Sequence, residues 1–285
     1  MKKLKKRSKL SEIWFRLLKN KLAVVSLFVL LALLVIAILA PVLAPYDYAA
    51  QNVMNANAGS SLEHLLGTDK LGRDILSRLI FGARASLMMG IFAVMIGACI
   101  GIIWGTIAGF YGKMVDNIMM RILDIYQSVP MFLLCIAMAA ILGPSLRNAI
   151  IALGMAQVPG YARIMRASVM TVREADYIEV ERSINCPTGL LLIRHIIPNA
   201  IGPLIVQITM GVGSCILAGA GLSFIGLGIQ PPAAEWGSMI SEARNALRLY
   251  PTQALYPGIC IMISVLACNL LGDGLRDALD PRLKN

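Results

Sequence analysis

Long runs without a charged residue constrain this chain more than any other feature of its sequence. Counting His as neutral, they cover residues 22–46, 85–112, 125–146, 195–234 and 249–272. A sixth, shorter run at 148–162 continues past Arg163. A helix needs about 20 largely apolar residues to cross a bilayer. Only 15% of the residues are charged, against about a quarter in soluble domains. The runs therefore predict an all-α integral membrane protein with six transmembrane helices.

The distribution of basic residues predicts the orientation of these helices. Nine Lys and Arg residues precede the first span, and placing that end inside puts 19 of the 26 basic residues on the inner side. Such a bias is the positive-inside pattern, with both termini cytoplasmic. The net charge of +10 is therefore a topological signal, which argues against binding to nucleic acid.

These signals divide the chain into five predicted parts. The first two are a basic cytoplasmic segment, 1–21, and the first transmembrane helix, 22–46. An extracytoplasmic loop, 47–84, follows and carries an amphipathic helix near 72–81 that caps the outer mouth or leads into the second span. The last two parts are a five-helix core, 85–272, with a cytoplasmic loop at 166–198, and a cytoplasmic tail, 273–285.

Glycines in two spans have predicted structural roles, namely close packing in one span and a helix break in the other. The second span carries one at every fourth position, which places them on one side of a helix where two backbones can approach closely. They are Gly97, Gly101, Gly105 and Gly109. This close crossing is either ordinary packing or a pore-lining or subunit interface. The 195–234 run is too long for one span, and its glycines predict a break near 219–228.

Motifs of common catalytic sites are missing from the sequence. It has no phosphate-binding G-x-x-x-x-G-K-[ST] run, no H-E-x-x-H and no G-x-S-x-G. The six cysteines form no C-x-x-C pair, and His64 and His195 are predicted on opposite sides of the membrane, so no metal site is expected. Asp124 and Asp273 are candidate proton carriers, although Arg121 is a nearer explanation for Asp124.

One polar segment between the fourth and fifth spans predicts a short helix exposed to water. In it, 3.6-residue periodicity places Tyr177, Val180, Glu181 and Ile184 on one face. Acidic residues gather at its start, where the helix dipole favours negative charge. Asn185 tolerates a left-handed cap and Pro187 forbids continuation, so the helix is predicted to end there. A short patterned helix of this kind is suited to docking on another protein.

The same segment resembles the cytoplasmic coupling loop of permeases from ATP-binding-cassette (ABC) importers. The family pattern is E-A-A, three residues, Gly, nine residues, then I-x-L-P. Glu179 aligns with the Glu, Asn185 with the Gly, and Ile197-Pro198 with the final L-P. Val180 and Glu181 replace the two alanines, and His195 replaces the Ile. Glu181 therefore puts an acid where the family has a methyl group on the docking face.

Three further runs extend the resemblance along most of the chain. They are LGTDKLGRD at 66–74, LSFIGLG at 222–228 followed by Pro231-Pro232 and Trp236-Gly237, and NLLGDGLRD at 269–277 followed by Asp280-Pro281-Arg282. Together they are similar to the C-type permease of the dipeptide, oligopeptide and nickel importer family, which includes glutathione permeases.

The resemblance implies the transmembrane domain of a type I ABC importer in a bacterial inner membrane. The chain would be no enzyme and would bind no cofactor, because ATP and Mg²⁺ are held by two partner ATPases. A second permease and an extracytoplasmic binding protein complete the implied assembly. The implied ATPase-docking residues are Glu174, Asp176, Tyr177, Ile178, Glu179, Val180, Glu181, Arg182, Ser183, Ile184, Asn185 and Pro187.

Other functions stay open at this point. Within the family, the substrate is a dipeptide or oligopeptide, with nickel, a metal chelate or glutathione as the alternative. The sequence leaves the substrate-binding residues unknown. A different class of protein, an ion-gradient-driven secondary transporter, would need an ion site in the spans.

Overall fold

A computed structural model describes residues 9–279 of the chain, with side chains described from Ile13 onwards. The first half contains α1 (Lys9–Lys19), α2 (Lys21–Ile38), α3 (Ala40–Leu43), α4 (Ile75–Tyr111), α5 (Lys113–Gln127), α6 (Met131–Leu142) and α7 (Leu146–Arg173), with a 3-10 turn at Val53–Asn55. The second half contains α8 (Asp176–Ser183), α9 (Thr188–Leu190), α10 (Ile197–Ala200), α11 (Gly202–Phe224), α12 (Trp236–Ala243) and α13 (Thr252–Leu279). A π-helical turn at Leu191–Ile196 and a 3-10 turn at Arg244–Ala246 complete them.

The predicted all-α class is confirmed, whereas the predicted count of six spans is not reproduced. Among the described residues, α2, α4, α11 and α13 are long and apolar enough to cross a membrane. α5 and α6 make a fifth candidate if they are one span, broken by a 78° bend. Val129 precedes Pro130 at this break, and a proline disfavours helical backbone in the residue before it.

α7 occupies the place of the remaining predicted span. Its 28 residues would extend about 42 Å at 1.5 Å per residue, but it is too polar to count as an apolar span. One side of α7 lies in the main core, where Ala152, Leu153, Tyr161 and Met165 are buried. α7 is thus a central packing helix whose polar side chains contact the helices around it.

The glycine series of α4 packs against α7. A Cβ atom on Gly97 would lie 2.8 Å from the Gly154 carbonyl oxygen, and one on Gly109 would lie 2.8 Å from that of Arg166. Gly101 and Gly105 are as close to the α7 backbone near Tyr161 and Ala162. The close crossing predicted for these glycines is therefore formed within the chain, between α4 and α7.

The outer segment runs directly into the second span. α4 begins at Ile75, where the Asp74 carboxylate caps the helix by accepting a hydrogen bond from the Ser77 amide. The amphipathic helix predicted near 72–81 is thus the first part of α4, and the predicted boundary at residue 85 falls inside this 37-residue helix.

α1 and the beginning of α2 pack against the C-terminal part of α13. Leu17 of α1 is buried with Ala23, Leu271 and Ala278, while Trp14 and Leu18 are about half exposed. The remaining parts of the predicted basic segment and C-terminal tail, residues 1–8 and 280–285, lie outside the described residues.

The predicted break in the 195–234 run is confirmed. α11 ends at Phe224, and Gly226 follows with a φ of 84°, a left-handed value that suits glycine. The chain then turns to α12, whose Trp236 is buried against the beginning of α4.

Candidate functional site

The polar loop after α7 forms the short helix that the sequence predicts. α8 begins at Asp176, with Asp176 and Glu179 in its first turn and Arg182 in its last. Negative charge at the beginning and positive charge at the end both oppose the helix dipole favourably. The Ser183 hydroxyl donates a hydrogen bond to the Glu179 carbonyl oxygen at 3.0 Å.

The two sides of α8 differ sharply in burial. Ile178 is fully buried in the main core. On the other side, Tyr177, Val180 and Ile184 are 45%, 61% and 70% exposed. We call these three residues the exposed stripe. An apolar stripe that its own chain leaves uncovered, on a helix anchored by one buried side chain, is suited to contact with a second protein.

Two contacts near α8 reach the end of α4, one from the last residue of α7 and one from α8 itself. Just before α8, the Arg173 guanidinium donates hydrogen bonds to the carbonyl oxygens of Gly109 and Phe110, each at 3.0 Å. In the last turn of α8, the Arg182 guanidinium lies 5.5 Å from the Phe110 ring centroid, a cation–π contact. A displacement of α8 therefore acts directly on α4 and, through Arg173, on α7.

The predicted end of the helix is confirmed in detail. Asn185 has a φ of 58°, the left-handed conformation expected of a capping residue. The Cys186 amide donates to the Glu181 carbonyl oxygen at 3.1 Å, and the Asn185 amide donates to that of Arg182 at 3.0 Å. These two hydrogen bonds define a Schellman motif. Pro187 follows and is the N-cap residue of the next short helix, α9.

Glu181 does not join the exposed stripe as the periodicity predicts. Its side chain is 27% exposed, and its carboxylate lies 3.6 Å from Nδ1 of His195 on the π-helical turn. Glu181, Cys186 and His195 offer ligand atoms that all lie within 4.8 Å of one another. The expectation that there is no metal site rested on the lack of a C-x-x-C pair and on the separation of the two histidines, whereas the structure brings Glu181, Cys186 and His195 together.

Ion pairs between α5 and α7 account for two acidic residues that precede the third predicted span. Asp124 accepts a hydrogen bond from Arg163 at 2.6 Å, so its partner is on α7 and is not Arg121 as expected. Asp116 accepts two hydrogen bonds from Arg166, one turn further along α7. Asp273 is exposed. None of these arrangements favours a proton-carrying site.

A second polar cluster, which was not predicted from the sequence, lies at the other end of α4. The guanidinium groups of Arg73 and Arg78 share one carboxylate oxygen of Glu242 on α12, at 2.7 and 2.8 Å. Asp69 lies 2.6 Å from Arg73, and both arginines are 1% exposed. We call Asp69, Arg73, Arg78 and Glu242 the rim cluster. The sequence signal for this cluster was the presence of Arg73 and Arg78 beside the apolar face of the helix predicted at 72–81.

The rim cluster adjoins a cavity and a second buried carboxyl group. The cavity of about 330 Å³ is lined by Glu242, Lys70, Gln230 and Arg244, among others. Nearby, the Glu235 carboxylate caps α12 by accepting hydrogen bonds from the amides of Gly237 and Ser238. Burial raises the pKa of this carboxyl group, and those hydrogen bonds only partly oppose the shift.

Comparison with known proteins identifies the family to which this helical bundle belongs. Residues 101–285 match the family model described as the inner membrane component of binding-protein-dependent transport systems. Residues 8–60 match the N-terminal transmembrane domain of oligopeptide transport permease C. The chain therefore belongs to this permease family, within its C-type group, and is not an enzyme.

Two similar proteins show which permeases of this family the chain resembles. The dipeptide transport system permease protein DppC of Alkalihalophilus pseudofirmus is 45% identical over 274 residues, covering 96% of this chain and 90% of the relative. The glutathione transport system permease protein GsiD of Pectobacterium atrosepticum is 43% identical over 277 residues, covering 96% and 91%.

Solved structures of low identity show the same fold. A chain of the inward-facing MetNI methionine ABC transporter superposes with a TM-score of 0.59 at 19% identity, covering 72% of this chain and 98% of that chain. A chain of an amino acid ABC transporter gives 0.54 at 16% identity, covering 70% and 92%. The predicted fold, an ABC-importer transmembrane domain, is thus confirmed.

Proposed function

We propose that this chain is one of two permease subunits of an ABC importer and that the exposed stripe of α8 docks on a partner ATPase. The observation that carries the proposal is the asymmetry of α8. Tyr177, Val180 and Ile184 are uncovered, while Ile178 on the opposite side is fully buried in the core. A helix held in this way receives a contact on one side and passes the displacement to the bundle on the other.

The contacts around α8 give this displacement a route. When two ATPases close on ATP, the docked helix moves with them. Arg182 carries that movement to the end of α4, and Ile178 carries it into the core that contains Leu153 and Met165 of α7. The glycines of α4 bring its backbone into close contact with the backbone of α7, so we expect the two helices to shift as one unit.

The rest of the assembly follows from this role. A second, homologous permease forms the translocation path with this chain, and an extracytoplasmic binding protein delivers the substrate. Two ATPases bind ATP and Mg²⁺, so this chain needs no cofactor. Both termini and α8 face the cytoplasm of a bacterial cell, and the rim cluster faces the binding protein across the inner membrane.

We propose a dipeptide or oligopeptide as the substrate. Relatives at 45% and 43% identity are named for dipeptide and glutathione transport, which supports a small peptide-like cargo. Glutathione, nickel and a metal chelate are the alternatives. Competition between a labelled dipeptide and each alternative, measured as uptake into cells that express the whole system, ranks them directly.

The docking proposal is tested by recovering the ATPase with the permease. Val180→Asp places a charge in the exposed stripe, and Val53→Asp makes the same change at a residue that is somewhat more exposed, near the other end of α4. We expect Val180→Asp to lose the ATPase during purification in mild detergent while it retains the second permease. Val53→Asp should retain both.

Two results would contradict the proposal. One is equal recovery of the ATPase with Val180→Asp and Val53→Asp. The other is purification of the unaltered chain without any P-loop ATPase under several gentle conditions.

A further inference from the structure

Three side chains with metal-binding groups converge where α8 ends. Glu181, Cys186 and His195 each offer one ligand atom, and all three atoms lie within 4.8 Å of one another. The closest measured approach joins Oε1 of Glu181 and Nδ1 of His195, at 3.6 Å. This cluster lies beside the exposed stripe and takes no part in it, so the docking role does not account for these residues.

The backbone holds two of these side chains in fixed relation. The Schellman hydrogen bond runs from the Cys186 amide to the carbonyl oxygen of Glu181 itself, at 3.1 Å. The cap that ends α8 therefore also sets the distance between the thiol and the carboxylate. A glutamate five residues before the cysteine reaches the same side only because the chain reverses at the left-handed Asn185.

His195 comes from a locally unusual element. It lies in the π-helical turn at Leu191–Ile196, and its carbonyl oxygen accepts a hydrogen bond from the Asn199 side chain at 2.7 Å. Short π-helical segments frequently occur at functional sites because they redirect a side chain away from the regular helical position. Here the turn directs His195 towards Glu181.

The ligand set and its dimensions suit Zn²⁺. Zinc binds thiolate sulfur at about 2.3 Å, imidazole nitrogen at about 2.0–2.1 Å and carboxylate oxygen at about 2.0–2.2 Å. Tetrahedral coordination with these bonds separates neighbouring ligand atoms by roughly 3.3–3.7 Å. The 3.6 Å separation of Glu181 and His195 already fits, and the Cys186 sulfur lies within 4.8 Å of both ligand atoms. Thiolate also disfavours Mg²⁺ and Ca²⁺.

Access and redox state are compatible with binding. The side chains of Glu181 and His195 are 27% and 26% exposed, so an ion can enter and a water can complete the tetrahedron. Cys186 is a free thiol of intermediate burial. Cytoplasmic thiols stay reduced and available to a metal, which is where the proposed topology places this loop.

We propose that Glu181, Cys186 and His195 bind one Zn²⁺ ion, which joins the end of α8 to the π-helical turn that leads to α11. Glu181 and His195 are also the two positions where polar residues replace the alanine and isoleucine of the family's coupling-loop pattern. Without the metal, the pair is an ordinary carboxylate–imidazole contact.

The test is metal binding by the full chain, purified without a histidine tag and stripped with a chelator. Zn²⁺ is titrated in competition with a chromophoric indicator, and bound metal is measured after gel filtration. We expect one Zn²⁺ per chain. Cys186→Ser should weaken binding by more than about 100-fold, since losing even an outer-shell partner costs about 10–100-fold. His195→Ile should weaken it comparably.

Cys99→Ser is the matched control because it removes an exposed thiol on α4, outside the cluster. It should bind Zn²⁺ as the unaltered chain does. Equal binding by Cys186→Ser and Cys99→Ser would overturn the proposal, as would substoichiometric binding by the unaltered chain. If a variant fails to fold, the absorption spectrum of Co²⁺ bound to the unaltered chain tests the proposal in its place. A thiolate-to-cobalt charge-transfer band supports the site, and its absence overturns it.

Neither measurement needs an ATPase or a substrate. Failure of zinc binding therefore leaves the proposed docking role of α8 untouched, and failure of docking leaves the zinc site untouched.

Discussion

The two ends of α4 are built in opposite ways. At one end, the rim cluster buries two arginines around a shared glutamate from α12, and Trp236 donates a hydrogen bond to the Leu79 carbonyl oxygen. At the other end, α8 contacts α4 through the cation–π contact of Arg182 with Phe110, and its apolar stripe is uncovered. The first end is fixed by buried charge, whereas the second is open to a partner.

This difference separates residues that hold the fold from residues available for contact. Buried charges are expensive to separate, so the rim cluster resists movement of α12 against α4. α8 has one fully buried side chain and caps made by its own backbone, so it can move as a short rigid unit. Substitutions at the two ends should therefore affect different properties, namely stability at the rim and partner binding at α8.

The largest loss of stability is expected at the rim. Glu242→Ala leaves the guanidinium groups of Arg73 and Arg78 buried with Asp69 as the one remaining carboxylate in their described ion pairs. Breaking a buried pair in this way costs about 3–5 kcal/mol. We expect a large drop in the thermal unfolding temperature of the purified chain in detergent.

Glu174→Ala is the control for Glu242→Ala. Its carboxylate lies 3.9 Å from Arg173 and its side chain is 74% exposed, so the effect should stay below about 1 kcal/mol. Equal losses from the two substitutions would show that the rim cluster is not a special source of stability.

A smaller loss is expected between the two ends, where α4 crosses α7. Gly105→Ala places a methyl group against the Ala162 carbonyl oxygen and the Met165 Cβ atom. Overpacking of this kind costs about 1–3 kcal/mol. Gly160→Ala adds the same methyl group to α7, where no atom lies within 4 Å of it, and should be neutral or slightly stabilising. Thermal unfolding of both variants checks the contrast, and a reversed order would contradict the described crossing.

The smallest effect is expected at the end of α8. Asn185→Val puts a β-branched residue at a φ of 58° and should weaken the cap by about 1 kcal/mol, while Asn185→Gly should be tolerated. Hydrogen exchange of the α8 amides measures this local effect without requiring global unfolding. Faster exchange in Asn185→Gly than in Asn185→Val would refute the Schellman account.

Local rules made α8 predictable, and long-range contacts made the rim cluster unpredictable. The periodicity, Asn185 and Pro187 all lie within a few residues of the helix they define, so its bounds follow from the sequence. Arg73 and Glu242 are 169 residues apart, and no local pattern reports that they meet. The same limit hid the approach of His195 to Glu181.

The predicted count of six spans is not exactly confirmed for a related reason. The sixth run became α7, a central helix whose arginines pair with aspartates of α5, and these charges keep it from counting as an apolar span. The run at 125–146 was read as one straight span, whereas the chain bends by 78° at Pro130. Hydropathy identified the membrane segments without showing which of them lies in the centre or which is bent.

The central claim is that the exposed stripe of α8 contacts an ATPase, and site-specific photo-crosslinking in native membranes tests it most directly. A photoreactive amino acid is placed at position 180 in the stripe, or at position 53 as a control that is somewhat more exposed. Position 180 should crosslink to a protein with a P-loop, identified by mass, and position 53 should not. Crosslinks from position 180 only to lipid or to this chain itself would contradict the claim.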